Sequence, residues 1–141
     1  MKIGIAPEVF AAWPSYRRIV VVARDVDNAE EDPALEALLR RAEEAARQDP
    51  ELENHKEYPR IASWRAVFER MGLNPNKFPP SIANLVKRTR SGKDLPFVNR
   101  LVAIFNIVSL KHRIPCGGDD LAGVTGDVML MPATGEEISE P

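Results

Sequence analysis

The sequence predicts an α+β fold in one domain, on three observations. Three segments carry the alternating or β-branched pattern of strands, and four longer segments repeat apolar residues at helical spacing. The 141 residues match the usual size of a single domain, roughly 100–200 residues. Hydrophobic residues make up 44% of the chain and charged residues 28%, so one hydrophobic core is expected and a disordered chain is excluded.

Three strands are predicted. The first covers residues 2–5, whose apolar side chains alternate, and one or two helical turns are expected at residues 8–13. The second covers residues 18–24 and is the strongest strand pattern in the chain, because its continuous β-branched run favours burial on both faces. The third covers residues 127–131, and residues from 132 onward are expected to form an exposed tail.

Four helices are predicted. The first covers residues 32–48, where Asp-Pro is a typical start and the many charges are expected to form a solvated face. The second covers residues 59–71, and the third covers residues 81–91 with Ser81 as its N-cap. The fourth, residues 101–110, is apolar almost all round and is therefore expected to be a buried helix.

The net charge of −2 conceals an uneven distribution of charge. Residues 54–113 contain 12 basic and three acidic side chains, a net charge of +9, whereas residues 30–53 and 114–141 each carry −6. A basic centre favours an anionic partner, unless the segments fold back on one another. The candidate contacts to a phosphate backbone are Arg60, Arg65, Lys87, Arg88, Arg90, Lys93 and Lys111. About half of such cations need no partner, because they lie where they balance a helix dipole.

The composition excludes several classes of protein. A single cysteine, Cys116, excludes a disulfide framework and a cysteine zinc cluster, and with two histidines no metal site is expected. No apolar run reaches the ~18 residues of a membrane span and no signal peptide is present, which predicts a cytoplasmic protein. No nucleophile triad is indicated, and Cys116 and His112 are most simply structural.

A polar stripe interrupts the fourth predicted helix. Asn99, Asn106 and Ser109 are seven and three residues apart, so they stack along one side of an apolar rod. A buried amide without partners costs about 1–3 kcal/mol. Two interpretations stay open: the side chains bond to neighbouring backbone, with Asn99 as a helix cap, or they line a polar pocket for a small ligand.

A glycine pair follows this helix. The backbone N–H groups of Gly117 and Gly118 are free to point at a ligand oxygen, as in a nest, and Asp119 or Asp120 could hold a ligand amine or position a water. The alternative is a flexible turn in which Asp119 or Asp120 caps the next element. The pattern matches neither a P-loop nor a dinucleotide site.

Several of these stretches, taken in order, resemble the B3/B4 domain. That domain is the editing domain of the bacterial phenylalanyl-tRNA synthetase β subunit, and the resemblance is greatest to its free-standing members. The matching stretches are residues 59–65 (PRIASWR), 79–82 (PPSI), 95–99 (LPFVN), 104–111 (IFNIVSLK), 114–120 (IPCGGDD) and 126–130 (GDVML). Residues 19–28 also fit the family's opening, so the resemblance covers most of the chain.

The resemblance implies an α+β domain with a mixed sheet packed with helices over residues 1–135, followed by an acidic tail at 136–141. It implies tRNA as the partner and hydrolysis of a mischarged aminoacyl-tRNA in trans, without a cofactor and with no catalytic residue identified. Two other functions stay open: a non-enzymatic tRNA- or RNA-binding module, and a protein that binds a free amino acid. The residues implied at or near the amino-acid pocket are Asn99, Asn106, Ser109, Gly117, Gly118 and Asp119.

One departure from the family pattern bears on activity. Family members continue after residues 126–130 into further strands, whereas this sequence stops at Pro141. We therefore expect a shortened or fragmentary domain that lacks part of the pocket wall. An incomplete sheet leaves an open edge, which favours a homo-oligomer.

Overall fold

A computed structural model describes residues 1–135, and the predicted acidic tail at 136–141 lies outside the described residues. The chain divides into two compact units. The sheet unit consists of Met1–Asp25 with Asp119–Pro141, of which residues up to 135 are described, and the helical unit consists of Val26–Gly118. The single domain predicted for residues 1–135 stays a prediction.

The sheet unit contains two short strands and a helix. β1 (Ile3–Ile5) pairs in parallel with β2 (Val128–Leu130), and α1 (Pro7–Ala12) begins with proline at its first position. The backbone N–H of Lys2 donates to Asp127 Oδ1 at 2.7 Å, which ties the starts of the two strands together. These elements confirm the first and third predicted strands and the predicted helical turns.

The strand predicted at residues 18–24 is wrong. These residues have no regular secondary structure, and Ile19 and Val21 are 88% and 84% exposed instead of buried. A β-branched run favours extended backbone, but a strand forms only where a neighbour supplies the hydrogen bonds. Residues 1–135 supply no such neighbour here, so the predicted mixed sheet is reduced to two parallel strands. The described fold is mostly helical, which is consistent with the α+β class.

The helical unit contains the four predicted helices. They are α2 (Pro33–Gln48), α3 (Pro59–Arg70), α4 (Ser81–Arg90) and α5 (Arg100–His112). The side chain of Asp32 accepts a hydrogen bond from the backbone N–H of Leu35 at 2.9 Å, which fixes the start of α2. Local capping signals therefore placed each helix end within two residues of its observed position.

The predicted N-cap of α4 is displaced by one residue. Pro80 occupies the cap position without a side-chain hydrogen bond, and Ser81 is the first helical residue. Pro80 has φ −54° and ψ 146°, so its fixed φ and extended ψ lead directly into the helix. At the other end Gly92 has φ +80°, a left-handed conformation that glycine adopts without steric cost.

α2 and α5 are parallel to each other. At their N-terminal ends Arg100 Nε donates to Asp32 Oδ2 at 2.9 Å. At their C-terminal ends Arg113 Nη2 donates to Asp49 Oδ2 at 2.7 Å. The N-terminal ends of α2 and α5 therefore lie together, and so do their C-terminal ends. After α4, the chain has to run back along α2 before α5 can begin. Residues 93–99 make this return.

The core of the helical unit lies among its helices. Its fully buried apolar side chains come from all four helices and the turn after α2, and include Leu39, Ala46, Leu52, Ile61, Ile82, Val86, Ala103 and Leu110. Burial of one large aliphatic side chain contributes about 1.5–3 kcal/mol. The expectation that α5 is buried all round is wrong, because Ile104 is 42% exposed. No helix within residues 1–135 has the length and apolarity to cross a membrane.

One carboxylate, that of Glu43 on α2, lies in this core with no exposed surface. Its Oε2 accepts a hydrogen bond from Arg40 Nη1 at 2.7 Å, and its Oε1 accepts one from the backbone N–H of Leu95 at 2.5 Å. Arg40 also donates to the carbonyl of Leu95 at 3.0 Å. The expectation that the charges of α2 form a solvated face is therefore wrong at this position. The pair holds the returning segment against α2.

Candidate functional site

α5 carries the polar stripe. Asn99 is the N-cap of α5, and its Oδ1 accepts a hydrogen bond from the N–H of Val102 at 2.9 Å. Asn106 is partly buried, and its amide makes no hydrogen bond to the described residues. Ser109 is 1% exposed, and its Oγ has no hydrogen-bond partner in residues 1–135. The stripe thus contains one side chain committed to capping and two with unused polar groups.

The two glycines differ in their surroundings. A Cβ at Gly118 would lie 2.6 Å from Cζ of Phe105, whereas a Cβ at Gly117 would meet no atom within 4 Å. The absence of a side chain at Gly118 therefore lets the loop pack directly on the ring of Phe105. Phe105 precedes Asn106 on α5, so the structure brings Gly118 to the part of the helix that carries the stripe.

The two aspartates belong to the sheet unit. Asp120 Oδ1 accepts a hydrogen bond from the N–H of Ala122 at 2.9 Å and caps a single 3-10 turn at Leu121–Gly123. Asp119 is exposed and bonds to no described side chain or backbone group. The membership of Asp119 and the other five predicted residues in one amino-acid pocket stays a prediction.

All four arginines predicted to contact a phosphate backbone bond within the protein. Arg60 donates to the backbone carbonyl of His112, Arg65 to Pro75, Arg88 to Asp94 and Arg90 to Asp49, at 2.6–3.1 Å. The carbonyls of His112 and Asp49 lie at helix ends and lack an intrahelical partner, so a guanidinium there satisfies an otherwise unpaired acceptor. By contrast, the exposed ammonium groups of Lys87, Lys93 and Lys111 make no ion pair or hydrogen bond within residues 1–135. These three, which we call the free lysines, remain available to an anionic ligand.

The acidic segment before residue 54 neutralises part of the basic centre. Arg113 hydrogen-bonds Asp49 and holds the pKa of that carboxyl below its ordinary value. The N–H of Leu35 lowers the pKa of Asp32, and Arg100 lowers it further. Two of the basic side chains are thus occupied by acidic partners. Part of the positive charge of residues 54–113 is therefore neutralised within the folded helical unit.

Asp49 joins the C-terminal ends of three helices. Its carbonyl accepts a hydrogen bond from Arg90, at the end of α4, and its carboxylate accepts one from Arg113, just after α5. Asp49 itself follows α2. Lys87 and Lys111 occupy the last turns of α4 and α5, so they lie at this same end of the helical unit. This junction was not predicted from the sequence, although Asp49-Pro50 ends α2 and begins a 3-10 turn at Pro50–Leu52.

An open cavity of about 600 Å³ adjoins the junction. It is lined by Pro50, Glu51, Glu53, Asn54, Glu57, Tyr58, Pro59 and Arg60. Three of these residues are glutamates and one is an arginine, whose guanidinium donates to the carbonyl of His112. The cavity is therefore unfavourable for phosphate. Within the described residues no group of His, Cys, Asp and Glu side chains is arranged to hold a metal ion.

Comparison with known proteins gives one match. The model of a family described as B3/4 domain matches residues 63–140, more than half of the chain. The match begins within α3 and includes α4, α5 and β2. Neither the curated proteins nor the solved structures include a significant match to this sequence.

Proposed function

Because this chain belongs to the B3/4 domain family, we propose that it is an editing domain related to that of the phenylalanyl-tRNA synthetase β subunit. In this proposal it hydrolyses the ester bond of a mischarged aminoacyl-tRNA in trans. Family membership is the observation that carries the proposal. The matched residues contain all of the positions expected at the amino-acid pocket, from Asn99 to Asp119, and all of the free lysines.

The proposed reaction makes modest demands on the protein. Ester hydrolysis needs an oriented water molecule and donors for the oxyanion that develops in the transition state. The N–H groups of Gly117 and Gly118 are suited to donate to that oxyanion, and the unused amide of Asn106 to orient the amino acid. The terminal ribose hydroxyl of the tRNA would assist the water, so the scheme requires no strong protein base.

The free lysines are suited to hold the tRNA. They are exposed cations without internal partners among the described residues, and two of them lie at the helix ends that meet at Asp49. Lysine contacts to phosphates release counterions, which makes binding tight at low salt and weak at high salt. The arginines of the basic centre act differently in this scheme, since they hold two helix ends and two loops in place.

A deacylation assay tests the proposal. The full chain is mixed with a panel of mischarged tRNAs, and the release of amino acid is followed over time. We expect release above the spontaneous rate for at least one of them. Asn106→Ala should slow this release by about tenfold or more through loss of a positioning amide, while Asn84→Ala, which changes an exposed amide on α4, should not.

Absence of release above the spontaneous rate for every mischarged tRNA would rule out the hydrolase. The free lysines favour one other function in that case, a non-enzymatic tRNA- or RNA-binding module. Such a module needs exposed cations and no assembled pocket. It would bind uncharged and charged tRNA equally and would leave the ester bond intact.

A further inference from the structure

The apolar run at residues 19–22 is the most exposed apolar feature of the sheet unit. Ile19 is 88% exposed, Val21 is 84% exposed, and Val20 and Val22 are about half exposed, at 46% and 53%. No backbone N–H or carbonyl of residues 18–24 makes a hydrogen bond within the described part of the chain. Exposed β-branched residues with unused backbone groups are a template for pairing with another strand.

A groove of about 330 Å³ lies beside this run. It is lined by Ile3, Gly4, Ile5, Phe10, Arg18 and Val20. In a parallel sheet the backbone groups of every second residue of a strand bond to the strand on one side, and those of the residues between them point to the other side. The pairing of β1 with β2 begins at the carbonyl of Lys2 and ends at the N–H of Ala6. The backbone groups of Ile3 and Ile5 therefore point to the opposite edge of β1, where residues 1–135 place no second strand.

The charges around the run are mostly positive. Arg18 precedes it and Arg24 follows it, and neither guanidinium bonds to any described residue. Arg17 donates only to the carbonyls of Pro14 and Tyr16. We propose that this groove and run bind an extended segment of another polypeptide, one with β-branched residues at its centre and acidic residues at its ends.

The charge pattern disfavours a second copy of this chain as the occupant. Antiparallel pairing between two copies is two-fold symmetric, and centring it on Val21 aligns the apolar residues best. That register places Arg18 of one copy opposite Arg24 of the other, twice per dimer, whereas Asp25, at φ +53°, has left the extended conformation that would place it opposite Arg17. Like charges directly opposite each other destabilise a strand pair, whereas acidic ends on a different polypeptide complement both arginines.

Two labelled peptides test the proposal by fluorescence anisotropy with the full chain. One is Glu-Glu-Val-Thr-Val-Thr-Val-Glu-Glu with blocked ends, and its control has lysine at every glutamate position. The acidic peptide should bind roughly tenfold or more tightly than the lysine peptide at low salt, and the difference should shrink as salt is added. Equal affinity for the two peptides, or no binding of the acidic one, would overturn the proposal.

Proline variants test whether the run itself is the site. Val20→Pro removes a backbone N–H on one edge of the run, and Val21→Pro removes one on the opposite edge. At least one of the two variants should therefore bind the acidic peptide tenfold or more weakly. Both positions are exposed, so circular dichroism should show an intact fold, and Val21→Thr should bind like the original chain. Full affinity in both proline variants contradicts the proposal. A second outcome also contradicts it: the chain binds no peptide but forms a concentration-dependent dimer, and the proline variants abolish that dimer. The run would then bind a second copy of the chain.

Discussion

Buried polar groups of the helical unit differ in how they are satisfied. Both carboxylate oxygens of Glu43 accept hydrogen bonds, although the side chain is fully buried. The hydroxyls of Thr89 and Ser109 are also buried, but neither has a hydrogen-bond partner within residues 1–135. Loss of a bonded group leaves its partners unsatisfied, whereas loss of an unbonded hydroxyl removes a desolvation cost. The two kinds of position should therefore respond to substitution in opposite ways.

Glu43→Gln should lower the free energy of unfolding by about 1–3 kcal/mol. The amide has one acceptor oxygen, so either Arg40 or the N–H of Leu95 loses its bond in the core. Urea denaturation measures the change. Glu44→Gln is the matched control, because Glu44 is exposed and its ion pair with Arg47 should be worth at most about 1 kcal/mol. A loss at Glu44 as large as that at Glu43 would contradict the assignment.

Ser109→Ala should leave the free energy of unfolding unchanged or raise it. Asn99→Ala, on the same helix, should lower it by about 1 kcal/mol through loss of the cap bond to Val102. Both changes are measured in the same urea titration. If Ser109→Ala destabilises as much as Asn99→Ala, the hydroxyl of Ser109 is bonded in solution.

At the scale of elements, ion pairs hold α2 and α5 together at both ends. Arg100 bonds to Asp32 where the helices begin, and Arg113 bonds to Asp49 where they end. Both carboxyls have a pKa below the ordinary value: the N–H of Leu35 and Arg100 lower that of Asp32, and Arg113 lowers that of Asp49. The helix pair is therefore sensitive to acid.

The stability of the chain should fall as the pH is lowered from about 5 towards 2. A carboxyl whose pKa is lower in the folded state contributes fully above the unfolded pKa, about 3.9 for Asp, and this contribution is lost as the pH falls through the folded value. Urea midpoints measured across this range check the prediction. The double variant Asp32→Asn, Asp49→Asn should depend less on pH, while Asp25→Asn, an exposed carboxylate, should behave like the original chain. An unchanged pH dependence in the double variant would contradict the role of these pairs.

Local and non-local elements differ in how well the sequence predicts them. Helix periodicity and caps are local, so the bounds of α2 to α5 follow from the sequence to within two residues. The strand expected at residues 18–24 depends on a partner, and the pattern within the run carries no information about whether one is present. The burial of Glu43 was not predicted, although its position, four residues after Leu39 and three before Ala46, places it on the buried face of α2.

The candidate site shows the same division. The cap at Asn99, one of the two interpretations of the polar stripe, is a local feature and is observed. The roles of Arg60 and Arg90 are not local, since they donate to backbone carbonyls 52 and 41 residues away in the sequence. A count of charges along the chain therefore overestimates the cations that lack a hydrogen-bond partner within the protein.

At the scale of the whole molecule, most arginines of residues 54–113 are bonded within the protein, to backbone carbonyls or to carboxylates of other segments. Within residues 1–135, backbone carbonyls engage Arg60, Arg65, Arg88 and Arg90, and carboxylates engage Arg100 and Arg113. The free lysines are the residues of the predicted set that remain. Binding of nucleic acid by this chain should therefore depend on lysine more than on arginine.

A triple variant tests this dependence. Lys87→Gln, Lys93→Gln and Lys111→Gln together should weaken tRNA binding and reduce the slope of log affinity against log salt by about 2–3, since each phosphate that a lysine neutralises adds about 0.7–0.9 to that slope. Filter binding at several salt concentrations measures the slope. Arg41→Gln changes an exposed cation in the middle of α2 and should have a smaller effect. A slope that is the same in the triple variant and the original chain would show that these lysines do not bind tRNA.

The parallel arrangement of α2 and α5 has a consequence for how the chain folds. The bond between Arg100 and Asp32 joins residues 68 apart in sequence, and the pair at the other end joins residues 64 apart. Contacts of such long range form only after the entropy of closing a large loop has been overcome, which slows folding. On the ribosome, α2 emerges long before α5, so the part of its apolar face that packs on α5 stays uncovered until α5 has been synthesised.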